Sequence, residues 1–95
     1  MIEVRIPSVL RSYTDGASTV HVALPLLAPE SAPTLSGLLA ALDGRFHGLR
    51  FRIIDEQGRL RPHMRIYIGE DDARDLRTPV PSGSTVMIVA ALSGG

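Results

Sequence analysis

The segment TVMIVAAL, residues 85–92, constrains the fold more than any other. Val86, Ile88 and Ala90 alternate with Met87, Val89 and Ala91, so an extended chain here presents apolar side chains on both faces. A strand that is apolar on both sides needs cover on both faces. Ser93, Gly94 and Gly95 follow it directly. The chain therefore places a strand with two apolar faces late and carries small residues beyond it.

The rest of the sequence must supply neighbours for that strand. In IEVRIP, Ile2, Val4 and Ile6 share one face while Glu3 and Arg5 share the other, the pattern of a half-buried strand. TVHVAL repeats the pattern with Val20, Val22 and Leu24. Between them Asp15-Gly16 is a turn signal, which predicts a hairpin with a connection longer than the tightest turns. PLLAPESAP contains three prolines and reads as loop. In TLSGLLAALDG, Leu35, Leu38, Leu39 and Leu42 fall at i, i+3, i+4 and i+7, one face of a helix. Thr34 suits its N-cap and Gly44 its C-terminal stop. Phe46 and Leu49 are expected to close the core beneath the helix end.

RFRIID reads as a third strand with DEQGR as its turn, and MRIYIG as a fourth. EDDARDLRTPVPSGS is polar, carries Pro79 and Pro81, and reads as surface loop. The expected order is strand, strand, helix and three strands, an α+β layout with a helix across one face of a mixed sheet. No internal repeat, low-complexity tract or linker divides the chain, so residues 1–95 are expected to form one domain with a projecting tail at 92–95.

Composition excludes several functions. Ten arginines balance ten carboxylates and lysine is absent, so the chain lacks the charge excess of a strong phosphate-backbone binder. Without cysteine there is no disulfide, thiolate metal site or cysteine nucleophile. MIEVRIPSVL does not read as a signal peptide, and no stretch is long enough to span a membrane. A cytoplasmic protein follows as the default. His21, His47 and His63 lack metal-ligand spacing. EDDARD packs four carboxylates into six positions but lacks the calcium-loop pattern, and reads as a solvated acidic loop. No serine has a nucleophile-elbow setting, and no glycine run has the Gly-Lys pair of a phosphate loop. No catalytic set is present, and no bound cofactor is expected.

The terminal glycines offer different chemistry. Without side chains, Gly94 and Gly95 can enter a narrow channel and adopt any φ, so a partner can reach the α-carboxylate of Gly95. A carboxylate is a poor electrophile and reacts as an acyl donor only after activation, for example as a mixed anhydride with AMP. A slender acyl terminus suits such activation; the plain alternative is a flexible tail without a role. The absence of lysine means that an activated terminus has no ε-amine of its own chain to capture it.

Here the sequence resembles the MoaD/ThiS family of ubiquitin-like sulfur carriers over nearly its whole length. MIEVRIPSVLRSYTDG resembles the first strand and the following loop, with its Leu-Arg pair and turn glycine. TLSGLLAALDGRFHGLR resembles the helix, and IIDEQGRLRPHMRIYIGEDDAR the section where a glycine turn leads to an arginine and a strand. TPVPSGSTVMIVAALSGG is similar to the closing strand and Gly-Gly, with Ser84 where Asp is usual and Ala90-Ala91 where Pro is common. Length and the GRLRPHMRIYIGEDDAR segment place the likeness nearest the CysO-like carriers of cysteine biosynthesis, with the small subunit of molybdopterin synthase as competitor.

The resemblance implies a ubiquitin-like β-grasp fold, with the last strand central and parallel to the first. It also implies a protein that is not an enzyme. A ubiquitin-activating-type adenylyltransferase/sulfurtransferase adenylates Gly95 with ATP, and a sulfur donor replaces AMP to leave a thiocarboxylate. The acceptor is a cysteine synthase-like enzyme or the molybdopterin synthase large subunit, and a metalloprotease is a further partner. Nucleic acid and membrane are not among them, and the free carrier is a monomer. If Val86 and Ile88 face the helix, Met87 and Val89 lie on the other face, where no second helix covers them, and mark a docking surface. Family likeness adds Pro7 at its border, with Arg11 as a charged contact and Leu92 and Ser93 leading to Gly94 and Gly95. Packing under local loops is the plain alternative for Met87 and Val89, and solvation for Arg11. A modifier conjugated through Gly95, or a β-grasp binding module with an incidental tail, would share these features.

Overall fold

The computed structural model describes residues 1–23 and 33–91. The expectations for Leu24, for the proline-rich loop before Pro33 and for Leu92, Ser93, Gly94 and Gly95 lie outside those residues. Five strands form one mixed sheet: β1 Ile2–Arg5, β2 Thr19–Val22, β3 Met64–Ile68, β4 Asp71–Asp72 and β5 Thr85–Ala90, in the order β2-β1-β5-β3-β4. Strand β5 is central. It runs parallel to β1, with Val4 opposite Val86 and Arg5 opposite Met87, and antiparallel to β3, with Ile66 opposite Ile88. This is the α+β, ubiquitin-like β-grasp arrangement.

Alternation sorts the side chains as the strand patterns predict. Val4, Ile66 and Val86 are fully buried, and Ile2, Ile6, Val20, Val22, Met64 and Ile88 join them on one face. Helix α1, Leu35–Arg45, lays its four leucines into the same core. Each such side chain contributes about 1.5–3 kcal/mol of transfer free energy. The Thr34 hydroxyl oxygen accepts the Gly37 N–H at 3.2 Å as N-cap. Two further N–H groups of the first turn, which a helix leaves without internal partners, are taken by the loop before β5: Leu35 N donates to Thr78 O and Ser36 N to Leu76 O. That loop fixes both the helix start and the approach to β5.

The hairpin connection is long, as predicted. Ser8–Thr14 forms a 3₁₀ helix that ends at Asp15, at φ 55°, and Gly16, at φ 85°. Both sit in the left-handed region that favours this Asp-Gly pair.

Three expectations are corrected. RFRIID is not a strand: Leu49–Ile53 forms a short helix, α2. Asp43, near the end of α1, decides this, because its Oδ1 accepts the N–H groups of Gly48 and Arg50, both at 3.1 Å, and so caps the new helix. Gly48, at φ 92°, reverses the chain before it, and Leu49 and Ile53, one turn apart, are both fully buried. The DEQGR turn is present, but what it joins is a single bridge between Ile54 and Leu60. Gly44 does not stop α1, which continues to Arg45; the left-handed conformation expected of a stop falls instead on Gly48. The EDDARD stretch is not wholly loop. Asp71 and Asp72 form the edge strand β4, opposite Ile68 and Tyr67, and buried Ala73 anchors it through an N–H bond to Ile66 O at 2.8 Å.

Candidate functional site: a groove beside the end of strand β5

Strand β5 ends at Ala90, and Ala91 is still tied to the sheet through its N–H bond to His63 O at 2.7 Å. On the side of β5 away from the helix, Met87 is 39% exposed and Val89 half-buried, while Val86 and Ile88 are buried opposite. The parallel register sets the first loop of the chain beside them. A groove of about 430 Å³ runs between β5 and the β1 end, lined by Pro7, Arg11, Met87 and Val89 together with Arg5, Ile6, Ser18, Thr19, Ile88 and Ala90. The four described residues singled out from the sequence as a docking face thus share one depression.

Arg11 reaches the groove by a specific route. It lies in the 3₁₀ helix, is half-buried, and its Nε donates to Ile6 O at 3.1 Å. That bond braces the β1 end just before Pro7, so Arg11 both lines the groove and holds its wall. The apolar part of this sheet face is narrow. Arg5 and Tyr67 flank Met87, and Arg65 stands opposite Val89. Arg5 is paired with Glu3 at 3.2 Å. The sheet face beside the groove is therefore an apolar strip of two side chains, Met87 and Val89, with Arg5 and Arg65 as neighbours. Sequence reasoning missed Arg5, Ser18 and Thr19 as lining residues, because their place depends on the register of β1 against β5 and β2, which periodicity does not specify.

Among the described residues no three His, Asp or Glu side chains come together in a way that could hold a metal ion. The acidic stretch is engaged with arginines: Asp72 approaches Arg65 and Arg74 at 3.8 and 3.6 Å, and Asp75 pairs with Arg77 at 2.9 Å. The side-chain hydrogen bond from Arg77 holds the Asp75 carboxyl below its usual value. Among these residues no helix is long and apolar enough to cross a membrane.

The strand order and the helix across one face are those of the ubiquitin-like β-grasp fold. The individual proteins to which the chain is similar are solved structures. CysO of Mycobacterium tuberculosis has a TM-score of 0.81 at 27% identity, over 97% of this chain and 100% of that one. The matched chain of the BexX/CysO complex of Amycolatopsis orientalis has a TM-score of 0.83 at 24% identity, with both chains covered completely. SAMP1 of Haloferax volcanii has a TM-score of 0.79 at 23% identity, over 99% of this chain and 98% of that one. These are ubiquitin-like sulfur carriers of the MoaD/ThiS type, small carrier proteins rather than catalysts. No family model and no curated relative matches the sequence.

Proposed function

We propose that this protein is a sulfur carrier whose working group is the C-terminal carboxylate of Gly95. The observation that carries this reading is the fold shared over 97% of the chain with CysO, together with a groove that gathers Pro7, Arg11, Met87 and Val89 beside the strand leading to Gly94-Gly95. A ubiquitin-activating-type enzyme seats on the groove. The Gly95 carboxylate attacks the α-phosphorus of ATP, pyrophosphate leaves, and an acyl adenylate forms. Sulfide from a donor adds to the acyl carbon and AMP leaves, so a thiocarboxylate remains. An acceptor enzyme then draws in Leu92, Ser93, Gly94 and Gly95; the sulfur bonds to the acceptor, and water hydrolyses the remaining acyl bond, so the oxygen it brings regenerates the Gly95 carboxylate. ATP and the reacting side chains belong to the partners. The likeness to CysO favours a cysteine synthase-like acceptor over a molybdopterin synthase large subunit, with a metalloprotease acting after transfer.

The solved complex of CysO with BexX is one case in which a protein of this fold associates with another protein. A second reading, a modifier joined to lysines of target proteins through Gly95, has support from one neighbour of this fold being a small archaeal modifier protein.

Intact-mass spectrometry of the protein purified from its native cells tests the proposal. The carrier reading expects a species heavier by the exchange of one oxygen for one sulfur at Gly95, and its disappearance when Gly94 and Gly95 are deleted. Isopeptide-linked conjugates without that species establish the modifier instead. Unchanged biological activity after the deletion rejects both.

A further inference from the structure

The chain is neutral as a whole, but its charge is not spread evenly. Residues 45–63 hold five arginines against Asp55 and Glu56, a net +3, and the remaining residues carry −3. This segment also holds the exposed ring of Phe51, 55% accessible on α2. Three guanidiniums here lie over aromatic rings: Arg61 over Phe51 at 4.6 Å, Arg45 over Phe46 at 5.1 Å and Arg52 over Tyr13 at 5.5 Å. Three arginine–aromatic contacts thus gather on and beside α2.

Two of these arginines are also fixed by hydrogen bonds. Arg61 Nε donates to Phe51 O at 2.8 Å, and Arg52 Nε donates to the Tyr13 hydroxyl. A guanidinium anchored through Nε keeps its other N–H groups free to fork onto a carboxylate, with less side-chain entropy left to lose. The lining of the groove described above includes none of these residues.

We propose that α2 and the turn segment after it form a second docking surface, which binds an acidic segment of a partner protein. Phe51 supplies the apolar anchor, Arg52 and Arg61 receive carboxylates, and Arg59, 3.6 Å from the Asp55 carboxylate in the free protein, exchanges that partner for one on the incoming segment. Nucleic acid fits the surface less well. Its affinity rests on many phosphate contacts, whereas here Asp55 and Glu56 interrupt the basic run within a chain of zero net charge. The position favours a partner that also engages the tail, because His63, two residues beyond Arg61, bonds Ala91 at the end of β5. The inference concerns charge and exposed surface and stands whether or not Gly95 carries sulfur.

The test is an amide chemical-shift titration of the labelled full-length protein with a synthetic peptide alternating aspartate and leucine. The expected result is a set of shifts centred on residues 45–63, with affinity falling about tenfold in Arg52→Glu, Arg59→Glu and Phe51→Ala variants and on raising salt. Equal binding of a lysine-leucine peptide, tighter binding of an oligothymidylate, or shifts centred on Met87 and Val89 would each overturn it. Because the wild-type shift map locates the site without any substitution, an unfolded variant does not protect the proposal.

Discussion

The Asp43 carboxylate, on the last turns of α1, accepts the Arg50 N–H at 3.1 Å, so one helix caps the next. The same oxygen holds Gly48 N. Replacing Asp43 by alanine removes an acceptor shared by two N–H groups and is expected to lower stability by about 1 kcal/mol, within the 0.5–2 kcal/mol range of helix N-caps. Thermal melts should show a fall of roughly 4–8 °C, with asparagine recovering most of it. An unchanged melting temperature in Asp43→Ala would mean that α2 does not need this cap.

Phe51 and Ile53 separate the helical from the extended reading of RFRIID. In a strand they would share a face; in α2 the Phe51 ring is 55% exposed and Ile53 fully buried. Ile53→Ala should cost about 2–5 kcal/mol, and Phe51→Ala should stay within about 0.5 kcal/mol, apart from the lost stacking with Arg61. Urea unfolding of the two variants reads the difference, and similar losses at both sites would contradict α2.

Two surface carboxylates set an acid limb of stability. The Arg59 backbone N–H, reinforced by that of Gln57, holds the Asp55 carboxyl below its usual value, and the Arg77 side chain does the same for Asp75. Below about pH 4 the unfolded chain protonates these groups while the folded chain keeps them ionised. The unfolded state then binds more protons, so stability falls as pH falls. Their contribution is complete above the ordinary carboxylate range and is lost as pH drops through the lowered folded values. Both groups face solvent, so the effect is small. Urea midpoints should decline more gently at acid pH in an Asp55→Asn, Asp75→Asn double variant. A decline identical to that of the parent would remove these residues from the explanation.

Met87→Asp and Val89→Asp should leave the fold intact, because both side chains reach solvent. If the groove seats the activating enzyme, each change removes about 1.5–3 kcal/mol of apolar burial, roughly a tenfold to hundredfold loss of affinity. Calorimetric titration of that enzyme measures it, and full affinity in both variants would move the docking site elsewhere.

Much of this was legible in the residues because the signals were redundant. Four leucines at helical spacing and a capping threonine mark α1, and β1, β2 and β5 alternate cleanly. Helix α2 was hidden because Arg50-Phe51-Arg52-Ile53 also alternates, and its decisive partner, Asp43, lies outside the segment. Strand β4 was hidden for another reason. Asp71 and Asp72 have poor strand propensity, and only the backbone of β3 and the anchor at Ala73 draw them into the sheet. The groove was foreseeable by membership but not by shape: Met87 and Val89 follow from strand period, whereas Arg5, Ser18 and Thr19 join them only through inter-strand register.

The parallel contact of β1 with β5 has a consequence for synthesis. The groove joins residues 5–19 to residues 87–90, and such distant pairing forms late, since loop closure must precede its reward. A chain emerging from the ribosome holds Pro7 and Arg11 long before it holds Met87. A product that stops before β5 therefore lacks the wall that a partner would grip. If a partner seats on the groove, its recognition doubles as proofreading: an unfolded copy, or one that stops before β5, offers no seat.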